Sequence, residues 1–302
     1  MGHHHMGHHR MGHHRKSFAA ALAVAALTLS ACGSGSDDGV KVADKPSFEA
    51  GTTMATISAA GKMKVGTKFD QPGFGLKGLD GELAGFDVEV AKIIAGALGI
   101  KAESIEWTES PSKLREELIE KGTVDLVAAT YTINDKRKER ITFAGPYYVA
   151  GQQLMVKSAN TKITGPADLK ANPDQKVCSV TGSTPAEQIK PFLADPSQLV
   201  LFDVYDKCAN ALRTDQVQAV TTDNVILLGF VSKSDKAFKL VGEQFTKEPY
   251  GIGIKKGDVK FCEFINKTLK ENEAAYTKAW ADTAGKVEGA AAATLPEPAP
   301  CS

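Results

Sequence analysis

Apolar residues are distributed along this chain in two ways. Between residues 18 and 29 they run almost without interruption, and from Met63 onward they recur in short blocks separated by glycines and charges. The first run is about a dozen residues long, short of the ~20 that a bilayer-spanning helix needs. The later blocks alternate in kind. Residues 63–67 predict a strand, and the glycine-rich stretch from Gln71 to Gly81 a loop and hairpin. Phe86, Val90, Ile93, Ile94, Ala97 and Leu98 fall at helical spacing, which predicts an amphipathic helix over 86–98 closed by Gly99. A second helix is expected over 114–121, a buried strand over 124–130 and a short charged segment over 135–140. Strands are then expected at 153–156, 177–180, 199–202, 219–222 and 250–255. Between them, Asp168 opens a helical turn, and helices are expected at 184–192, where Pro185 can start one, at 206–212 and at 224–231. A long final helix is expected over 259–280. This alternation implies parallel sheets with helices on both faces, and the count suits two small α/β lobes better than one large sheet. Residues 33–58, rich in Gly, Ser, Asp and Lys, read as a flexible tether.

Charge and cysteine usage narrow the setting. Arg10, Arg15 and Lys16 precede the first apolar run, which ends Leu27-Thr28-Leu29-Ser30-Ala31-Cys32. That order resembles a bacterial lipoprotein signal, which implies a signal peptide over 1–31 and a lipidated Cys32 as first residue of a mature chain held on the outer face of the cell membrane. Several acyl chains on one residue anchor stably where a single chain is marginal. The alternative is an ordinary secretory signal that precedes a cysteine. Met-Gly-His-His occurs three times before it and reads as a tag or an extended start rather than a metal site, since cleavage would remove it. Without the signal, 33 basic residues face 36 acidic ones, a net charge near −3 with no dominant basic patch, which argues against nucleic acid. Cys178, Cys208, Cys262 and Cys301 remain, an even number with three possible pairings. We expect Cys178–Cys208, a strand and a nearby helix of one domain, and Cys262–Cys301, which would pin an Ala/Pro-rich tail; four free thiols are the alternative.

Four segments in order carry a resemblance. Gly85-Phe86-Asp87-Val88-Glu89-Val90, Gly122-Thr123-Val124-Asp125-Leu126, Thr132-Ile133-Asn134-Asp135-Lys136-Arg137-Lys138 and Phe143-Ala144-Gly145-Pro146-Tyr147-Tyr148 resemble the family-3 solute-binding proteins of polar amino-acid ABC importers. The likeness runs from about residue 60 to 282. Val65-Gly66-Thr67-Lys68-Phe69-Asp70-Gln71-Pro72 and Ala129-Thr130-Tyr131-Thr132-Ile133-Asn134-Asp135 look like the glutamate-binding lipoproteins of actinobacteria in particular. The resemblance implies a two-lobe α/β periplasmic-binding-protein fold of type II. Lobe 1 would span 59–149 plus 250–284 and lobe 2 150–249, behind a tether over 32–58 and ahead of a C-terminal tail over 285–302. The two hinge crossings would lie near 149–151 and 247–249.

It also implies a site. An α-amino acid presents a carboxylate, which suits a guanidinium and nearby donors, and an ammonium, which needs an acid. Arg137 falls on the family's carboxylate-binding position, with Thr130 and Thr132 beside it; its bland alternative is a solvated charge in the run 136–140. Asp223 matches the family's aspartate for the ammonium, and could also cap the helix that follows. Ser183 and Thr184, in the loop Thr181-Gly182-Ser183-Thr184, would offer hydroxyls and N–H groups to the ligand side chain. Lys68 stands where glutamine binders carry an acid, and Arg115 where binders of acidic amino acids place a second arginine; two cations favour glutamate over glutamine. The alternatives are a surface lysine and a helix-face arginine paired with Glu116. Gln71 sits near a position where many members carry an aromatic, so Phe69 or Tyr131 could form the pocket wall instead.

The function so implied is capture of L-glutamate by hinge closure, on a lipid-anchored monomer that serves ABC permease subunits, with no cofactor, no metal and no catalysis. The alternatives are aspartate, asparagine or glutamine as ligand, or an enzyme of the same fold resembling cyclohexadienyl dehydratase.

Overall fold

The structure is a computed structural model that describes Met1 and residues 40–302. The signal peptide expected over 1–31, the lipidation expected at Cys32 and the first residues of the expected tether lie outside that range. From Val40 the chain is packed, which corrects the tether expected through residue 58. The Ala43 N–H donates to Gly96 O at 2.8 Å, and a Cβ on Gly96 would stand 2.8 Å from the Lys41 carbonyl oxygen, so only glycine admits this approach. Phe48 meets Phe264 edge-on at 5.6 Å. Thr52 then caps helix α1 (Thr53–Ala60) by accepting from the Ala55 N–H, and the helix buries Met54 and Ile57, an i,i+3 pair diluted by small polar neighbours.

Strand β1 (Met63–Thr67) leads into a ribbon of β2 (Asp70–Gln71), β3 (Gly75–Lys77) and β4 (Leu83–Ala84). Helix α2 (Phe86–Ala97), β5 (Ile105–Glu109), α3 (Arg115–Glu120), β6 (Leu126–Val127), α4 (Asp135–Lys138) and β7 (Thr142–Ala150) follow. The second lobe holds β8 (Gln152–Lys157), α5 (Ala167–Ala171), β9 (Val177–Val180), α6 (Thr184–Gln188), β10 (Leu199–Phe202), α7 (Tyr205–Arg213), β11 (Ala219–Asp223), α8 (Asn224–Ser232) and β12 (Phe238–Val241). The chain returns to the first through β13 (Glu248–Ile254), α9 (Val259–Glu271) and α10 (Glu273–Asp282).

The sheets share one plan. Their orders are β5-β1-β6-β13-β7 and β10-β9-β11-β8-β12. In each, three neighbouring strands run parallel and the fourth, β13 or β8, runs antiparallel. The all-parallel sheets expected from the alternation are thus mixed sheets, because β13 and β8 bring the chain in from the other lobe against the direction of the βα units. Two further expectations are corrected. Of the strand expected over 124–130 only Leu126–Val127 is regular strand; Asp125 and Ala128 still donate to Lys64 O and Gly66 O of β1, and at Thr130, with φ +44°, the chain turns away. The helix expected over 259–280 is broken at Asn272, whose own N–H and side-chain amide both donate to Thr268 O. The break lets α10 lie against α2, where Trp280 meets Phe86 at 5.0 Å and stacks on Tyr148 at 4.7 Å.

Two crossings join the lobes, side by side. Gly151 is the single residue between β7 and β8, and residues 242–247 link β12 to β13; Glu248 pairs with Ala150 and Pro249 with Val149. Asn224 N–H donates to Gly151 O at 2.8 Å, and Gly151 N–H returns to Asn224 Oδ1 at 3.2 Å. The hinge is therefore short and hydrogen-bonded, a geometry suited to rigid-body closure.

Disulfides join Cys178 of β9 to Cys208 of α7, and Cys262 of α9 to Cys301 in the tail. The tail lies on lobe 1: Leu295 rests against its core, Ala299 N–H donates to Gly145 O at 2.8 Å, and Thr142 Oγ1 donates to Ser302 O at 2.8 Å. The second bridge closes a separation of 39 residues. Replacing Cys262 and Cys301 by serine should cost about 2–4 kcal/mol, a fall in Tm of roughly 5–10 °C by scanning calorimetry. An unchanged Tm would mean that the bridge does not hold the tail in solution.

Candidate functional site

Ligands of open α/β sheets sit outside the carboxyl ends of the strands. Here Lys68 follows β1, Thr130 follows β6, Ser183 stands just past β9, and Asp223 ends β11. The two lobes turn these ends toward each other. Arg137 Nη2 of lobe 1 donates to Gly182 O of lobe 2 at 3.0 Å, and Thr184 Oγ1 reaches Thr132 Oγ1 at 3.4 Å. Gly182 lies directly on the backbone of Lys113, where a Cβ would come within 2.6 Å of the Lys113 Cα.

The cations are buried. Lys68 donates through Nζ to Ser112 Oγ at 2.8 Å and is 2% exposed, which sets aside the surface lysine. Burial, followed by the Arg115 charge, pushes its ammonium down to about 7. Arg115, also 2% exposed, donates to the carbonyls of Ser112, Ala129 and Thr130, and its guanidinium stands 4.1 Å from the Tyr131 ring centroid. Glu116 pairs instead with Arg137, Nε to Oε1 at 3.4 Å. Arg137 is 6% exposed rather than solvated. Its side chain donates to Thr132 O at 2.6 Å, lies 5.0 Å from the same Tyr131 ring, and is pushed down to about 10, chiefly by burial. One aromatic ring thus carries both guanidiniums, whose mutual repulsion is met by that π face and by backbone carbonyls.

Opposite them stands Asp223. It occupies the position that would cap α8, but its side chain makes no capping bond. Oδ2 accepts from the Tyr250 hydroxyl at 2.5 Å, and Oδ1 has no partner. Burial, with the Glu248 charge adding to it, pushes this carboxyl up to about 8 against the pull of Tyr250, Arg115 and Arg137. The remaining acids nearby are engaged. Asp87 accepts from Thr130 N–H at 2.8 Å and from the Tyr147 hydroxyl, and burial pushes it up to about 7. Glu248 accepts from Thr184, Gln188 and Thr246.

Among the described residues, the buried side-chain atoms without a hydrogen-bond partner are Thr67 Oγ1, Gln71 Nε2, Tyr131 OH, Gln152 Oε1, Tyr205 OH, Thr222 Oγ1 and Asp223 Oδ1. Each such group costs about 1–3 kcal/mol when left unpaired. They come from both lobes and lie at or just past strand ends, at the crossing or, for Tyr205, at the start of α7, as groups that await a polar partner from outside the chain would.

The structure therefore brings Lys68, Arg115, Arg137 and Asp223 to the buried meeting of the two lobes, with Gln71, Thr130, Tyr131 and Thr132. Other expected contributions are already engaged. Ser183 spends its hydroxyl capping α6, Thr184 donates to Glu248, and Phe69, half-buried, takes the Lys77 ammonium at 5.1 Å. Sequence reasoning missed Gln152, Tyr205, Thr222, Tyr250 and the buried acids Asp87 and Glu248. Only Asp87 had a signal, an acid in the first turn of a helix set directly between the apolar Phe86 and Val88.

Residues 63–280 match the family of bacterial extracellular solute-binding proteins, family 3. The chain is 38% identical over 260 residues to the glutamate-binding protein GluB of Corynebacterium efficiens, covering 83% of each. It is 37% identical to the ABC transporter glutamine-binding protein GlnH of Bacillus subtilis, covering 82% of this chain and 88% of that one. Its fold resembles that of an ancestral arginine-binding protein bound to glutamine, with a TM-score of 0.69 and 35% identity over 75% of this chain and 99% of the other.

The Asp223 carboxyl gives a test that needs no ligand. Unfolded, it titrates near ~3.9; folded, near about 8. Between those values the folded state holds the extra proton, so stability falls as pH rises through the window. Asp223→Asn cannot titrate. Its Tm relative to wild type should therefore rise by several degrees between pH 5 and pH 8.5, read by calorimetry on ligand-free protein. A difference that does not vary with pH would show that this carboxylate reaches water.

Proposed function

From the membership of this chain in family 3 of the bacterial extracellular solute-binding proteins, a family of two-lobe extracytoplasmic binders rather than enzymes, we propose that it captures free L-glutamate between its lobes for an ABC importer. No helix among the described residues is long and apolar enough to cross a membrane. In this proposal the protein acts as a monomer, held to the membrane by lipid on Cys32.

The observation that carries the reading is charge complementarity. One bare carboxylate oxygen, on Asp223, lies within reach of the charges of the buried Arg115 and Arg137, and the buried Lys68 ammonium stands near those two guanidiniums. Glutamate brings the complement, one ammonium and two carboxylates. In this reading Arg137 and the Thr130–Thr132 segment take the α-carboxylate, Asp223 the ammonium, and Lys68 the distal carboxylate. Arg115, whose donors go largely to carbonyls, contributes charge and holds Tyr131. Ser183 and Thr184 act by closing the site with backbone groups at the start of α6. The similarity to a glutamate-binding relative supports the same ligand. A glutamine reading draws on the other relative, but it would leave a buried cation facing a neutral amide.

Ligand that binds only the closed form stabilises it by mass action, so a thermal-shift screen of the twenty amino acids should give its largest rise with glutamate. Arg137→Ala should abolish binding of every amino acid by titration calorimetry; weakening of only a few-fold would move the carboxylate clamp elsewhere. Lys68→Ala with Arg115→Ala should narrow the preference for glutamate over glutamine. An unchanged preference would show that other residues read the distal group.

A further inference from the structure

We propose that Asp70 is a closure latch: its carboxylate, carried by lobe 1, caps helix α7 of lobe 2 and so favours the closed arrangement of the lobes. Asp70 Oδ2 accepts from the backbone N–H of Tyr205 at 2.7 Å and of Asp206 at 3.4 Å, across 135 residues of sequence. Helix α7 has no cap of its own. Its N-cap position is Val204, whose apolar side chain accepts nothing. The first N–H groups of a helix need acceptors, and a carboxylate there also meets the positive end of the helix dipole. The acceptor comes from the other lobe, so this bond exists only when the lobes meet. When they part, Asp70 returns to water and the first turn of α7 loses its cap.

The latch is tied to the ligand site from both sides. Asp70 lies two residues beyond Lys68 and its charge favours the Lys68 ammonium. Tyr205, whose N–H it holds, places an unpartnered phenol near Asp223 and the hydroxyls of Ser183 and Thr222. Next to Asp70 the lobes also meet backbone to backbone: a Cβ on Gly229 of α8 would come within 2.3 Å of the Pro72 carbonyl oxygen. The approach at this edge is therefore fixed in distance, and the cap forms at one defined separation. The inference rests on the reading that the lobes close around an amino acid.

The test follows glutamate binding by stopped flow, on the full mature protein. Asp70→Ala should leave the association rate within about two-fold and speed dissociation roughly ten-fold, the factor expected for loss of a helix cap. Asp70→Asn, which caps as well as Asp, should dissociate within about three-fold of wild type. Val204→Ser gives α7 a cap from its own chain in either arrangement. Added to Asp70→Ala, it should restore the melting temperature and leave dissociation fast. Unchanged dissociation in Asp70→Ala, or its recovery along with the melting temperature in the double variant, would overturn the latch. A wild type that binds no amino acid would instead overturn the ligand reading. The latch is then judged by small-angle scattering of the ligand-free proteins, where Asp70→Ala must give the larger radius of gyration and equal radii reject it.

Discussion

A carboxylate sealed from water must be neutralised, by a proton or by a cation. Asp223 is placed so that the protein supplies neither fully. Tyr250 gives one hydrogen bond, the arginines act only at a distance, and the second oxygen stays bare. The same strain runs the other way at Lys68, which among the described residues donates to the Ser112 hydroxyl and to no carboxylate. Both groups are pushed toward their neutral forms, one upward and one downward, and both recover their charge beside a ligand of opposite sign. In the proposed reading this burial keeps both groups responsive to a zwitterion, and the surrounding architecture brings them to the meeting of the lobes.

That architecture is two copies of one sheet plan, each with its parallel strands ending at the gap and each entered by one antiparallel strand from its partner. The entry strands are also the hinge. Because Gly151 is pinned by Asn224, the first residue of α8, the hinge is coupled directly to Asp223, its neighbour in sequence. Any rotation of lobe 2 about the crossings therefore moves Asp223 as a rigid part of β11. The aromatic cluster of Phe74, Phe86, Tyr148 and Trp280 keeps lobe 1 equally stiff beneath Lys68. Stiff lobes and a short hinge leave closure as the one motion that changes the site.

Much of this was legible in the sequence. Element order followed from hydrophobic spacing, and Lys68, Arg115, Arg137 and Asp223 were singled out because residue type and motif position agreed. What the sequence concealed has physical reasons. Tertiary packing made a helix of 53–60, where local pattern is weak, and Asn272 broke a helix through a side-chain bond that propensity does not encode. The capping role considered for Asp223 fails because neither oxygen takes an N–H of α8: Oδ2 accepts from Tyr250, distant in sequence, and Oδ1 is without a partner. Tyr131, considered as a wall for the ligand, proved to be a platform for two guanidiniums, which only their folded proximity reveals. Glu248 and Tyr205 were invisible for the same reason: each owes its place to partners far away along the chain.

The position of Tyr131 also decides how the arginines can differ in role. Both lean on one ring, yet their donors point differently. Arg115 is held by three carbonyls of its own lobe, whereas Arg137 reaches a carbonyl of the other. A side chain fixed within one lobe keeps its geometry whether the lobes are open or shut. One that bonds across the gap changes partners on closing, and can exchange the Gly182 carbonyl for a ligand oxygen at little cost, since a charged donor prefers a carboxylate to a neutral acceptor. Arg115 is thus the constant element of the positive field and Arg137 the responsive one. In the proposed reading, a ligand carboxylate is drawn to the pair by their summed charge but is gripped by the member that has a bond to give up.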